Sequence, residues 1–209
     1  MTLVIAIDGP AAAGKGTLAR RLAAAFNLPY LDTGLLYRAV GRRVLDFGAD
    51  PRDAVLAEAA ARTLTPGALY RTDLRGPAAD MAASEVAAIP AVRAALLDWQ
   101  RDFANAAGAV LDGRDIGTVV FPEARVKLFV TAAPAERARR RLAELQARGV
   151  AAVLEQVETE LRLRDAQDSG RSVAPLAPAA DAMVLDTTAL DADEAFAQAM
   201  ALIAPRITE

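Results

Sequence analysis

Leu3-Val4-Ile5-Ala6-Ile7-Asp8-Gly9-Pro10-Ala11-Ala12-Ala13-Gly14-Lys15-Gly16-Thr17, near the amino end, decides the fold. Residues 3–7 are apolar and partly β-branched, which predicts a buried parallel strand. Gly9 and Gly14 bracket a tight loop, and Lys15 opens a helical pattern through Leu18, Leu22 and Phe26. This is the phosphate-binding spacing G-x-x-x-x-G-K. Glycines let backbone N–H groups turn inward around phosphate oxygens, and the following helix adds its positive amino end. Lys15 is placed to reach the outer phosphates, and the Thr17 hydroxyl to stand near a metal ion. Because Gly16 follows Lys15, that hydroxyl comes one residue later than the simplest pattern asks.

Composition narrows the chemistry. A chain of 209 residues suits one domain with insertions. With 54% hydrophobic and 24% charged residues, dispersed rather than massed, a soluble globular protein is expected. The first residues carry no basic leader, so a signal peptide is not expected and the cytoplasm is. Cysteine and histidine are absent, which removes disulfides, thiolate metal sites, cysteine nucleophiles and every Ser-His-Asp arrangement. Chemistry must run on Asp, Arg, Lys, backbone amides and metal ions, an inventory that suits phosphoryl transfer. The net charge of -3 gives no reason to expect a nucleic-acid surface.

Strand and helix patterns alternate beyond the opening loop. Short apolar runs at 29–31, 109–111, 126–130 and 183–185 predict four more strands. Helical patterning covers 35–47, 52–63, 78–88, 90–106, 134–148, 153–166 and 192–203, with Asp191 capping the last. Residues 65–80 hold the turn signals Pro66-Gly67 and Gly76-Pro77 and read as a surface insertion with a short strand at 68–70. The whole predicts an α/β fold with a five-stranded parallel sheet and helices on both faces.

Three further groups carry chemistry. Asp32-Thr33-Gly34-Leu35-Leu36-Tyr37-Arg38 follows the second strand, where ligands sit in doubly wound sheets. Thr33 and Arg38 read either as acceptor contacts or as a helix cap and a solvated cation. Asp112-Gly113-Arg114-Asp115-Ile116-Gly117 follows the third strand: Asp112 suits the magnesium shell, and Arg114 a phosphate. Arg137, Arg139, Arg140 and Arg141 crowd one helix start, relieved either by solvent or by bound phosphate. Arg164, Asp168 and Arg171 share one face if helical, or close over a nucleotide if they lie in a loop.

Taken in order, these segments resemble bacterial cytidylate kinase, a family of nucleoside monophosphate kinases. The resemblance also takes in Ala83-Ser84, Pro90 with Arg93, the run Thr118-Val119-Val120-Phe121-Pro122, and Ala174-Pro175-Leu176. It implies a P-loop NTPase core (about 1–48, 107–135 and 172–209), a short nucleotide-acceptor insertion (about 49–106) and an Arg-rich lid (about 136–171). The implied reaction moves the γ-phosphate of ATP to CMP or dCMP with Mg2+. The resemblance places ATP on Gly9, Pro10, Ala11, Ala12, Ala13, Gly14, Lys15, Gly16 and Thr17, with Arg137 and Arg141 from the lid. It places CMP on Thr33, Tyr37, Arg38, Ser84, Arg93, Arg114, Asp115, Arg164, Asp168 and Arg171. Lys15, Arg114, Arg164 and Arg171 take catalytic roles. Thr17 and Asp112 serve the metal, Asp112 directly or through water. A cytoplasmic monomer is implied, with no membrane or nucleic-acid polymer as partner, whose lid and acceptor insertion close before transfer.

The sequence departs from the family twice. The stretch 65–80 is short for the family's small antiparallel sheet, and Gln167 stands where a second basic residue is usual. Two competing functions are a same-fold kinase acting on UMP, AMP or shikimate, and a GTP-dependent switch protein. The 112–122 block speaks against the first. Neither Asn27 nor Asn105 lies in the Asn-Lys-x-Asp context that the second requires.

Overall fold

The computed structural model describes residues 2–105 and 107–208. It divides into two compact units, residues 1–31 with 104–209 and residues 32–103.

The first unit is built on the sheet. Strand β1 (Val4–Asp8) is central, followed by helix α1 (Lys15–Phe26) and the short strand β2 (Tyr30–Asp32). After the second unit come β3 (Ala109–Gly113), β4 (Val126–Thr131), helices α6 (Pro134–Ala147) and α7 (Leu154–Ser169), β5 (Met183–Asp186) and α8 (Ala192–Thr208). The order across the sheet is β2-β3-β1-β4-β5, with β1 parallel to β3 and β4, and β4 parallel to β5. Both alternations of β1 and β3 are buried, as a sheet covered on two sides requires. One face packs Ile5, Ile7, Val110, Val126 and Leu128 against Leu22 of α1 and Ile203 of α8. The last helix starts as expected. The Asp191 carboxylate accepts from Glu194 N–H at 2.9 Å, and the Glu194 carboxylate accepts from Asp191 N–H at 2.9 Å, a reciprocal capping box.

The second unit is helical: α2 (Thr33–Asp46), α3 (Ala54–Arg62), α4 (Pro77–Ala87) and α5 (Pro90–Asn105). Ala106, expected to end α5, lies outside the described residues. Leu36, Val40, Val44, Leu74, Val86 and Leu96 are buried in this unit. The strand expected at 68–70 is instead a 3-10 helix, Pro66–Tyr70. Pro66 pre-sets the first turn, Ala68 N–H bonds back to the Thr65 carbonyl at 3.0 Å, and Tyr70 lies 86% exposed. A strand there would have had no apolar face to bury. The segment is tied down by charge: Arg71 bonds both Asp46 and Asp73, and Arg42 pairs with the same two carboxylates.

Gly9 closes the turn that leaves β1. Its φ is +144°, and a Cβ there would lie 1.9 Å from the Val130 carbonyl oxygen of β4. Gly9→Ala is therefore expected to cost about 3 kcal/mol or more by chemical denaturation. A loss below about 1 kcal/mol would mean the loop relaxes around the methyl group.

Candidate active site

The phosphate loop leaves the carboxyl end of β1, between β3 and β4, where doubly wound sheets hold their ligands. Gly9, Ala12 and Gly14 all have positive φ, so the backbone curls on itself before α1. Such curling aims successive N–H groups into one concavity. Ala12 holds φ +60° without being glycine, at a cost of about 1 kcal/mol. Apolar packing over-determines it: Ala11 and Ala12 lie against the small core of Ala138, Leu145, Val157 and Leu161 between α6 and α7.

Lys15, the first residue of α1, is buried, and its ammonium donates to the Pro10 carbonyl at 2.8 Å across the loop. Burial, followed by the positive charges of Arg114 and Arg164, pushes Lys15 down to about 7, against the pull of Asp112 and Asp8. An anion entering the loop would restore the charged form.

Asp112, buried near the end of β3, accepts from the Tyr30 hydroxyl at 3.3 Å. One of its oxygens lies 3.3 Å from where a side chain on Gly16 would begin, so it stands beside the start of α1. Among the described residues no three acidic side chains cluster to cage a metal. Mg2+ takes few protein ligands beside substrate phosphates and water. Thr17 with Asp112 fits that need.

The alternatives for Arg164, Asp168 and Arg171 resolve by secondary structure. Arg164 and Asp168 lie on α7, which continues to Ser169, so Asp168 shares the buried face of Val157 and Leu161; Arg171 lies just beyond. Asp168 accepts from Arg114 Nε at 2.7 Å and also pairs with Arg171. Burial alone would raise its pKa, yet the charges of Arg114, Arg171 and Arg164 hold it below the ordinary carboxylate range. One carboxylate thus holds Arg114 and Arg171 together, with the charge of Arg164 close enough to act on it. Arg137 is buried, bonded to Asp165 at 2.7 Å, to the Ala132 carbonyl and to the Ala11 carbonyl of the loop. Arg141 pairs with Glu144 at 2.8 Å.

The other expected acceptor residues lie in the second unit. Arg38 bonds Asp80 at 2.8 Å and pairs with Asp32 at 3.6 Å. Ser84, one turn after Asp80, donates to its carbonyl at 3.2 Å. The Arg93 guanidinium lies 5.6 Å from the centre of the Tyr37 ring. Thr33 is buried as the first residue of α2, so Asp32 rather than Thr33 is its cap residue. Thr33, Tyr37, Arg38, Ser84 and Arg93 thus lie on α2, α4 and α5.

Three contributors escaped the sequence reading. Thr187 is buried after β5, donates to the Ala13 carbonyl at 3.0 Å and accepts from Arg140 at 2.9 Å, bracing the loop from behind. Asp165, next to Arg164 on α7, pairs with Arg137 of α6 across 28 positions of sequence. Asp8 ends β1 with a carboxylate inside an apolar strand, which was the available signal. Its two oxygens accept from the N–H groups of Ile116 and Gly117 at 2.8 Å each. Residues 116–120 form a π-helical turn, with Val120 N–H bonded to the Asp115 carbonyl five residues back. π turns recur at functional sites.

The loop on its central strand, with convergent cations around it, defines a P-loop phosphotransferase. The family model for cytidylate kinase matches residues 5–205. The chain belongs to the cytidylate kinase family. It is 64% identical over 203 residues to the cytidylate kinase of Granulibacter bethesdensis, covering 97% of each chain. It is 62% identical over 207 residues to that of Paramagnetospirillum magneticum, covering 97% of this chain and 98% of the other. Among solved structures, a protein of Eubacterium ventriosum aligns over the whole of both chains with a TM-score of 0.55 at 15% identity. A Thermus thermophilus protein aligns at 0.50 and 21%, over 100% of this chain and 99% of the other. These two likenesses bear on the fold alone.

Burial drives the Asp8 carboxyl up to about 6, opposed by the two N–H groups and reinforced by Asp115. A folded pKa above the ordinary 3.8 means that the folded protein holds a proton the unfolded chain releases. That contribution to stability is present below about pH 4 and lost as pH rises through about 6. Asp8→Asn removes the titration. Relative to wild type, the variant is expected to gain on the order of 2–3 kcal/mol between pH 4.5 and 7.5 in paired urea titrations. A constant difference across that range would place Asp8 in contact with water.

Proposed function

We propose that this protein transfers the γ-phosphoryl group of ATP to CMP or dCMP, giving ADP with CDP or dCDP. One observation carries the reading: Lys15 is buried across the phosphate loop, bonded to the Pro10 carbonyl, while Asp168 holds Arg114 beside Arg171, with Arg114 and Arg164 near enough to act on the Lys15 charge. Such a cluster asks for a strongly anionic ligand. Membership of the cytidylate kinase family supplies the nucleotide.

The chemistry needs no histidine. The acceptor is a phosphate oxygen, mostly deprotonated near neutrality because the second phosphate pKa is about 6. It attacks the γ-phosphorus, and the bond from the γ-phosphorus to the bridging oxygen of ADP breaks. Loop N–H groups and Lys15 hold the donor phosphates. Arg114 and Arg171, both held by Asp168, together with Arg164 stabilise the charge spread over the moving phosphoryl group. Mg2+, held beside Thr17 and Asp112, would neutralise charge on the β- and γ-phosphates. Thr33, Tyr37, Arg38, Ser84 and Arg93 hold the acceptor from the 32–103 unit, and Asp115 reads its base. Arg137 and Arg141 serve the ATP side as part of the 136–171 lid. The reading extends to a cytoplasmic monomer acting on free nucleotides, as the family implies. Among the described residues no helix is long and apolar enough to cross a membrane.

A coupled assay offering CMP, dCMP, UMP, AMP and shikimate with ATP tests the acceptor. The highest kcat/KM is expected for CMP or dCMP, and faster turnover of any of the others would overturn the choice. Lys15→Ala is expected to lower kcat by about 100-fold or more while the protein still folds cooperatively, since it removes the charge offered to phosphate and a single hydrogen bond to the Pro10 carbonyl. Arg114→Ala and Arg93→Ala are expected to raise KM for CMP about tenfold, with smaller effects on ATP.

A further inference from the structure

The π-helical turn at 116–120 directly follows Arg114 and Asp115, yet its own side chains have no part in the chemistry above. It is gripped from two strands. From β1, the two Asp8 oxygens take the N–H groups of Ile116 and Gly117. From β4, the methylene stem of Lys127 runs under Gly117, where an added Cβ would sit 3.1 Å from Lys127 Cδ. The Lys127 ammonium then bonds the Asp181 carboxylate at 2.8 Å and the Pro122 carbonyl just beyond the turn. Lys127 is the only lysine besides Lys15.

We infer that Asp8 and Lys127 clamp this turn as positioning residues, setting Arg114 and Asp115 against the phosphate loop without touching either substrate. The inference rests on the acceptor roles proposed for those two residues. Asp8 is followed at once by Gly9, so a single carboxylate joins the first residue of the donor loop to the backbone that carries the acceptor contacts. Neither oxygen has slack, because each bond is 2.8 Å long. A shift of about 1 Å between donor and acceptor is enough to cost about 100-fold in rate. An ionised carboxylate is also a costly way to satisfy two turn N–H groups, which a carbonyl could do without charge burial. Its presence here points to placement rather than to stability.

Asp8→Asn tests the clamp in the full-length enzyme. Asparagine keeps one acceptor oxygen but turns an amide NH2 against the second N–H. The expected result is a KM for CMP raised about tenfold and a reduced kcat, with the Kd for a fluorescent ATP analogue within about twofold of wild type. A role in folding alone would lower the active fraction and leave both nucleotides' constants unchanged; that outcome overturns the clamp, as does equal weakening of ATP and CMP. Lys127→Met keeps the stem under Gly117 and removes the ammonium, so it should show the same split between nucleotides. It decides the matter if Asp8→Asn does not fold, and unchanged CMP kinetics in it would overturn the clamp. Arg114→Ala is measured alongside. A CMP shift there with none in the clamp variants sinks the clamp alone, whereas no shift in Arg114→Ala sinks the acceptor assignment and the clamp with it.

Discussion

Positive charge held out of water around one backbone loop is the constraint on which the rest of the structure depends. Lys15 is buried at the start of α1, and Arg114, just past the third strand, and Arg164, on the seventh helix, press on it. Such a group of like charges is tolerable only with counter-charge nearby, and the fold supplies it in layers. Asp8 and Asp112 stand at the ends of β1 and β3. Asp168 stands on the buried face of α7, bonded to Arg114 and Arg171. The carboxylates keep the cations in place without neutralising all of them. A nucleotide's phosphates are the natural complement.

The same economy explains the absence of a conventional base. Phosphoryl transfer between nucleotides has little proton chemistry to manage, so positioning and charge do most of the work. Positioning here is backbone work. Thr187 and Arg137 hold the carbonyls of Ala13 and Ala11, and Asp8 holds the N–H groups of Ile116 and Gly117. The small core between α6 and α7 packs on Ala11 and Ala12. The loop is thus braced through its carbonyls, from α6 and from the residue after β5.

Much of this was legible in the sequence because it is local. The apolar run before Gly9, the G-x-x-x-x-G-K spacing and the strand at 109–111 each declare themselves within a few residues. The arginine pattern around 164–171 was ambiguous for a physical reason. Whether Asp168 belongs to a helix depends on Val157 and Leu161 finding a partner in α6, which periodicity on one helix does not reveal. The 68–70 segment reads as a short strand between two turns, and nothing local says whether a neighbouring strand is there to pair with it. A 3-10 helix tied by Arg71 to Asp46 and Asp73 needs no partner. The grip of Asp8 on the π turn joins residues more than a hundred positions apart, and only the parallel pairing of β1 with β3 brings them together.

The most direct measurement is a crystal structure with a bisubstrate analogue that links adenosine to cytidine through a polyphosphate chain. The account predicts that the Lys15 ammonium leaves the Pro10 carbonyl for a phosphate oxygen, that the loop N–H groups surround the chain, and that Arg114 and Arg164 bond to it with cytosine beside Asp115. Lys15 still bonded to Pro10, with the polyphosphate lodged elsewhere on the molecule, would contradict it.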